Sequence, residues 1–203
     1  MRSQCMNNLR QIALALENYR DVHGSLPPAY TVDASGKRLH SWRTLILPFL
    51  EQRALYDKLD LSKPWDDPAN KEVFEAMPYT YQCPSAVCPQ GHTTYLAVAV
   101  PGGCFDGPKP RKLSDITDDH HLTLMVLEVH SDHAVPWMSP HDATEKLISS
   151  LGAAEKLPHL GGAQAVCVSG RGMALDPEMS PSRLRALISI AGGDDARARE
   201  PSQ

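Results

Sequence analysis

Arg2-Ser-Gln-Cys5-Met-Asn-Asn-Leu9-Arg-Gln-Ile12-Ala-Leu-Ala-Leu16-Glu-Asn-Tyr19-Arg-Asp-Val22-His-Gly24 is the stretch that decides the fold. Cys5, Leu9, Ile12, Leu16 and Tyr19 recur at alternating steps of four and three, which places them on one stripe of an α-helix. Arg10, Gln11, Glu17, Asn18 and Arg20 fall largely off that stripe. Gly24 ends the helix, and Pro27-Pro28 prevent its return. Ser3 to Val22 is about 20 residues, or roughly 30 Å of helix. A helix of that length with a single apolar stripe needs a second layer to lie on.

The remaining composition narrows what that layer can be. The chain has 203 residues, room for one large domain. Apolar residues make up 42%, enough for a core, and the formal net charge of −4 offers no general attraction to nucleic acid or anionic lipid. No run approaches the roughly 20 apolar residues of a membrane span, and no apolar signal-peptide core precedes Cys5. Seventeen prolines punctuate the chain and argue against long helices between Gly24 and Pro110. Five cysteines, an odd number, leave at least one thiol free.

Ser41 to Tyr56 reads as helix with Ser41 as N-cap and a break at Pro48, and Asn70 to Ala76 as a further short helix. The pattern then turns to strands: Tyr79-Thr-Tyr-Gln-Cys83, Thr93 to Val100, Leu122 to Val129 and Ala163 to Val168 are short, β-branched or aromatic, and bounded by Gly, Pro or Asp. Asp142 to Leu151 and Ser182 to Ile190 read as surface helices, and residues 194–203 as a disordered polar tail. Helices first and strands later give an α+β class, with the long N-terminal helix across an antiparallel sheet. The expected organisation is a single head domain over 1–193: the N-terminal helix 1–23, a helical and loop insert 24–78, and a β-rich part 79–193.

The chemistry-bearing residues are scattered. Cys83-Pro-Ser-Ala-Val-Cys88 with His92 and Cys104 carries zinc-type ligands, but their second pair is not a compact knuckle. Asp118-Asp-His120-His121 offers ligands or an acid–base pair, on a segment where a polar turn is expected anyway. Glu128 ends an apolar strand and must be paired or near solvent. There is no Gly-x-Ser-x-Gly, no phosphate-binding glycine loop and no His-Glu-x-x-His, and Cys167 sits within an apolar strand. Trp42, Trp65 and Trp137, with Glu128, are the candidates for a ligand pocket.

The ordered motifs resemble a bacterial prepilin-like family of unknown function with a prepilin-type N-terminal cleavage and methylation signal, formerly grouped with solute-binding proteins. The resemblance is carried by Arg2 to Tyr19 with Gly24-Ser-Leu-Pro-Pro-Ala29, by His40-Ser-Trp-Arg43, Leu47-Pro-Phe-Leu-Glu-Gln52 and Pro64-Trp-Asp66. Cys83-Pro-Ser85, Thr94-Tyr-Leu-Ala97, Glu128 and Val135-Pro-Trp-Met-Ser-Pro-His-Asp142 continue it, and the whole spans roughly residues 2–193. The family's late His, nine residues and Asp-Gly become His159 with Ser169-Gly170, and its Asp-Gly-Thr-Ser-Asn-Thr turn becomes Asp118-Asp-His-His-Leu-Thr123.

The resemblance implies a pilin-like fold and a chain that starts past the leader and the apolar half of the anchoring helix. It implies a non-enzymatic, secretion-associated protein of the cell envelope or exterior, whose partners are other pilin-like or envelope proteins, with no cofactor and no nucleic acid. It further implies that Cys5 and Cys83 come close and pair if the protein is exported. Two alternatives are an extracytoplasmic small-ligand binding module and a metal-dependent enzyme using Asp118, His120, His121 and Glu128. Calcium and hydrolase activity are not expected. Zinc would fall to Asp118, His120 and His121, or to Cys83, Cys88 and His92.

Overall fold

The computed structural model describes residues 2–151, 159 and 162–193; the tail expected to be disordered, 194–203, lies outside them. Helix α1 runs Arg2–His23 and buries Cys5, Leu9, Ile12 and Leu16, with Tyr19 packed partly buried beyond them. Gly24 adopts φ 77° and its N–H bonds to the carbonyl of Arg20, the left-handed stop that a residue without Cβ adopts readily. Each fully buried Leu or Ile of the stripe contributes about 1.5–3 kcal/mol.

The layer beneath is a four-stranded antiparallel sheet in the order β4 (Tyr95–Ala97), β5 (Leu124–Glu128), β7 (Ala163–Cys167), β8 (Gly172–Leu175). Its two faces carry separate cores. Tyr95, Ala97, Met125, Val126 and Val166 pack with α1, whereas Leu96, Leu124, Leu127, Ala165 and Cys167 pack with helices α5 (Glu145–Ser150) and α6 (Pro181–Ile188) on the other side. A register shift between Leu124 and Val126 puts Met125 and Val126 together in the α1 core. From Val126 the alternation resumes, so Glu128 returns to the α1 side, paired across the strands with Tyr95. α1 lies close on β8: a Cβ at Gly172 would sit 2.2 Å from Met6 Sδ.

The fold is thus α+β, a long N-terminal helix on an antiparallel sheet in a pilin-like arrangement. Two expectations need correction. The segment 24–78 is not only helix and loop, since β1 (Tyr30–Val32) and β2 (Arg38–Ser41) form a hairpin in it. Its helices are short: α2 (Trp42–Leu45) capped by Ser41, a 3-10 turn at Leu47–Leu50 with Pro48 inside, α3 (Arg53–Tyr56) and α4 (Lys71–Glu75). Tyr79-Thr-Tyr-Gln-Cys83 is no strand; Tyr79–Tyr81 is a 3-10 turn between Pro78 and Pro84 that buries Tyr81 and donates its hydroxyl to the Arg43 carbonyl at 2.7 Å. A two-residue pair, β3 (His92–Thr93) with β6 (Val135–Pro136), completes the strands. Among the described residues no helix is long and apolar enough to cross a membrane.

Candidate metal centre

Four elements bring four donor-bearing side chains to one place under the first turns of α1. The helix supplies Cys5, the loop after the Tyr79–Tyr81 turn supplies Cys83, the end of β5 supplies Glu128, and His159 comes from the segment before β7. Their ligand atoms, two sulfurs, one imidazole nitrogen and one carboxylate oxygen, all lie within 4.8 Å of one another. Cys5 Sγ and Cys83 Sγ are 3.1 Å apart, longer than the about 2.05 Å of a disulfide, and both thiols are free. His159 Nε2 is 3.0 Å from Glu128 Oε2.

The cluster is largely buried, with Cys83 at its half-buried edge, and short of hydrogen bonds. Glu128 is fully buried and the His159 side chain is 8% exposed. Neither carboxylate oxygen of Glu128 accepts a hydrogen bond of good geometry, and His159 Nε2 makes none either, although it lies 3.0 Å from Glu128 Oε2. Burial pushes the thiols of Cys5 and Cys83 up from the ordinary range, and the Glu128 carboxylate adds to both shifts. Burial raises Tyr95 in the same way, with Glu128 again reinforcing it. Around the cluster, Ser85 N–H points at Cys83 Sγ at 3.4 Å, and Asn8 Nδ2 donates to the Gln82 carbonyl at 2.9 Å and to Tyr95 Oη at 3.4 Å. These bonds fix the Cys83 loop against α1.

Of the residues singled out from the sequence, Cys5, Cys83 and Glu128 meet in the cluster and the others go elsewhere. Asp118 accepts the N–H groups of Gly192 and Gly193 at 2.9 and 3.1 Å, tying down the end of the described chain. His120 Nε2 bonds to the Ile116 carbonyl at 2.9 Å, and His121 Nδ1 meets Ser169 Oγ at 3.0 Å. The three serve three different partners, so Asp118, His120 and His121 do not form one metal or acid–base site. The His121–Ser169 contact joins the two turns that depart from the family pattern, and Ser169 N–H also bonds to the His120 carbonyl at 3.0 Å. Cys88 and His92 line a surface cleft with Cys83, but His92 Nδ1 contacts the Gln90 carbonyl at 3.1 Å and neither joins the cluster. Cys104 is buried in the main core.

The tryptophan pocket is also corrected. Trp42 and Trp137 are fully buried and Trp65 packs at the rim of the same core against Phe74, so among the described residues the three serve core packing rather than an open ligand space beside Glu128. Trp42 and Trp137 instead frame a polar hub that spacing did not disclose. Arg43, fully buried, donates through Nε to the Trp137 carbonyl at 2.8 Å and through Nη1 to Asp142 Oδ1 at 2.7 Å and the Tyr95 carbonyl at 3.3 Å. Its Nη2 donates to the carbonyls of Ser139 and His141 at 3.1 and 2.8 Å. Asp142 Oδ1 also accepts from Trp42 Nε1 at 3.0 Å and Ala97 N–H at 2.8 Å. Burial raises the Asp142 carboxyl, and the guanidinium beside it works against that shift.

Sequence reasoning therefore reached Cys5, Cys83 and Glu128 separately, as a helix stripe, a loop motif and a strand end, and His159 as a motif position. What could have joined them is the two-residue period of β5, which turns Glu128 to the side of the sheet that the Cys5 stripe must cover. No curated protein and no solved structure matches the chain. Residues 2–101, which carry Cys5, Arg43 and Cys83, match the family described as "Protein of unknown function (DUF1559)".

Proposed function

We propose that this chain is the non-enzymatic, pseudopilin-like head of a cell-envelope protein and acts through protein–protein contacts. The observation that carries the reading is the placement of α1. One face is buried on the sheet, while Leu14 and Val22 stand 57% and 69% exposed on the other. The rest of that outward face is polar, with Arg10, Gln11, Glu17, Asn18 and Asp21 exposed, so Leu14 and Val22 are two isolated apolar points on a 22-residue helix at which a helix of a like subunit can pack laterally. Thiol chemistry is poorly served in the same molecule: burial raises all of Cys5, Cys83, Cys88, Cys104 and Cys167, with Cys104 at about 12 and Cys167 at about 11. A thiol held protonated is a weak nucleophile. Asp118, His120 and His121 are each engaged by the backbone or by a serine.

The test is a photo-crosslinking residue placed at Leu14 in cells of the source organism. The expected products are adducts with prepilin-type subunits in the envelope fraction, reduced when Val22 is also replaced by Glu. A chain found only in the cytosol, giving no such adducts, overturns the reading.

A further inference from the structure

We propose that Cys5, Cys83, Glu128 and His159 bind one zinc ion in a closed, four-coordinate site that fastens the start of α1 to the sheet. Zinc bonds of about 2.0–2.3 Å imply ligand–ligand edges of roughly 3.3–3.8 Å in a tetrahedron. The four ligand atoms lie within 4.8 Å of one another, with the Cys–Cys and His–Glu contacts at 3.1 and 3.0 Å. Shifts of up to about an ångström would seat the ion. The second, independent observation is the state of Glu128: a fully buried carboxylate with neither oxygen accepting a well-formed hydrogen bond. Such a group wants a cation.

The donor set selects the metal. Two sulfurs exclude calcium and magnesium, which take oxygen. A mixed sulfur, nitrogen and oxygen set with no enforced plane suits zinc, whose filled d shell has no geometric preference. On binding, each thiol gives its proton to solvent and the metal takes both thiolates. The two thiolates and the carboxylate then bring three formal charges into one buried place, of which a divalent ion offsets two. The Ser85 N–H aimed at Cys83 Sγ and the Asn8 bonds that hold the Cys83 loop are the outer contacts that orient such ligands. Access is available on the Cys83 side, where the sulfur-bearing residue lines a surface cleft of about 190 Å³ with Cys88 and His92. With all four positions taken by protein, no place remains for a reacting water, so the ion is structural. The inference does not rest on the pilin-like reading, because binding is measured on the isolated chain.

The full chain, purified under reducing conditions without chelator, is analysed for zinc, then stripped and titrated with Co²⁺. The expected result is about one zinc per chain and, with cobalt, a thiolate-to-metal charge-transfer band plus the strong visible bands of tetrahedral cobalt, both erased by Zn²⁺. Cys5→Ser and Cys83→Ser should each lose about half of the charge-transfer intensity and at least about tenfold in affinity. If either fails to fold, His159→Ala, at the edge of the cluster, keeps the test alive: unchanged far-ultraviolet circular dichroism with altered visible bands is expected. Cys88→Ala is the control that leaves the spectra unchanged. The proposal is overturned if the reduced, folded wild type gives no tetrahedral cobalt spectrum, whether or not a Cys5–Cys83 disulfide forms in air. It is overturned equally if Cys5→Ser keeps the full spectrum or if Cys88→Ala abolishes it.

Discussion

Two buried polar clusters lie within one core, and they are finished to different degrees. In the Arg43 hub all five guanidinium N–H groups have acceptors, and Asp142 Oδ1 takes three donors, leaving Oδ2 as the one buried oxygen of the pair without one. In the Cys5–Cys83–Glu128–His159 cluster neither oxygen of Glu128 nor Nε2 of His159 makes a hydrogen bond of good geometry. A buried polar group left unpaired costs about 1–3 kcal/mol, more when charged. The first cluster is satisfied but for Asp142 Oδ2 and reads as architecture. The second leaves more polar atoms unpaired and gathers four metal-type donors within 4.8 Å of one another, and the two observations together mark it as a candidate site.

The comparison breaks most readily at Arg43. Arg43→Met should cost about 3–5 kcal/mol of unfolding free energy, because Asp142 is left buried without its cation and four carbonyls lose their donors. The loss should be the same with or without metal. Urea denaturation reads it directly, and a loss below about 1 kcal/mol would mean that the hub is not the closed structure described.

Leu16→Asp comes next. Leu16 is fully buried between α1 and the structure it covers, and a carboxylate there has no partner, so a loss of about 3 kcal/mol is expected. An unchanged melting temperature would sink the docking of α1 on the sheet, on which the Cys5 position depends.

Glu128→Gln sharpens the contrast by reversing the sign. In reduced, metal-free protein it replaces an unpaired buried carboxylate with a neutral amide and should raise stability by about 1 kcal/mol. Asp142→Asn should lower it, since Oδ1 serves three donors there. Parallel denaturation curves of the two variants settle whether the clusters differ in the way described; a drop in both would make Glu128 an ordinary structural acid.

What was legible in the sequence is what local physics controls. The α1 stripe, its stop at Gly24, the Ser41 cap and the strands around Tyr95, Val126 and Val166 follow from periodicity and capping. The β1–β2 hairpin was missed because its turn is built by Asp33, whose carboxylate accepts the N–H groups of Ser35 and Lys37 between strands of only three and four residues. β8 was missed because Gly172-Met-Ala-Leu175 has no β-branched residue and is held by pairing with β7. The site was legible only in pieces. Cys5 and Cys83 are 78 residues apart, and ligand-spacing rules recognise hairpins, not four separate elements meeting on one face.

The smallest expected effect tests whether incompleteness alone makes a site. His40 is fully buried and neither ring nitrogen makes a hydrogen bond of good geometry, yet among the described residues it belongs to no group of three or more metal-type ligands. Burial lowers its pKa from the ordinary 6.5, while the Lys63 and Asp60 backbone groups and the Asp60 carboxylate work against that shift. A depressed imidazole leaves the folded state with fewer protons than the unfolded one below pH 6.5. The contribution is therefore intact above pH 6.5, and stability is lost as the pH falls from there toward the folded-state pKa. Unfolding free energies measured from pH 7.5 to pH 5 should slope downward in the wild type and less steeply in His40→Gln. The difference should persist in the presence of chelator, because His40 serves the core and not the metal. Identical slopes would show that the buried ring is not held neutral. A chelator-dependent slope would instead connect His40 to the zinc cluster and dissolve the distinction between a merely unpaired core group and a ligand.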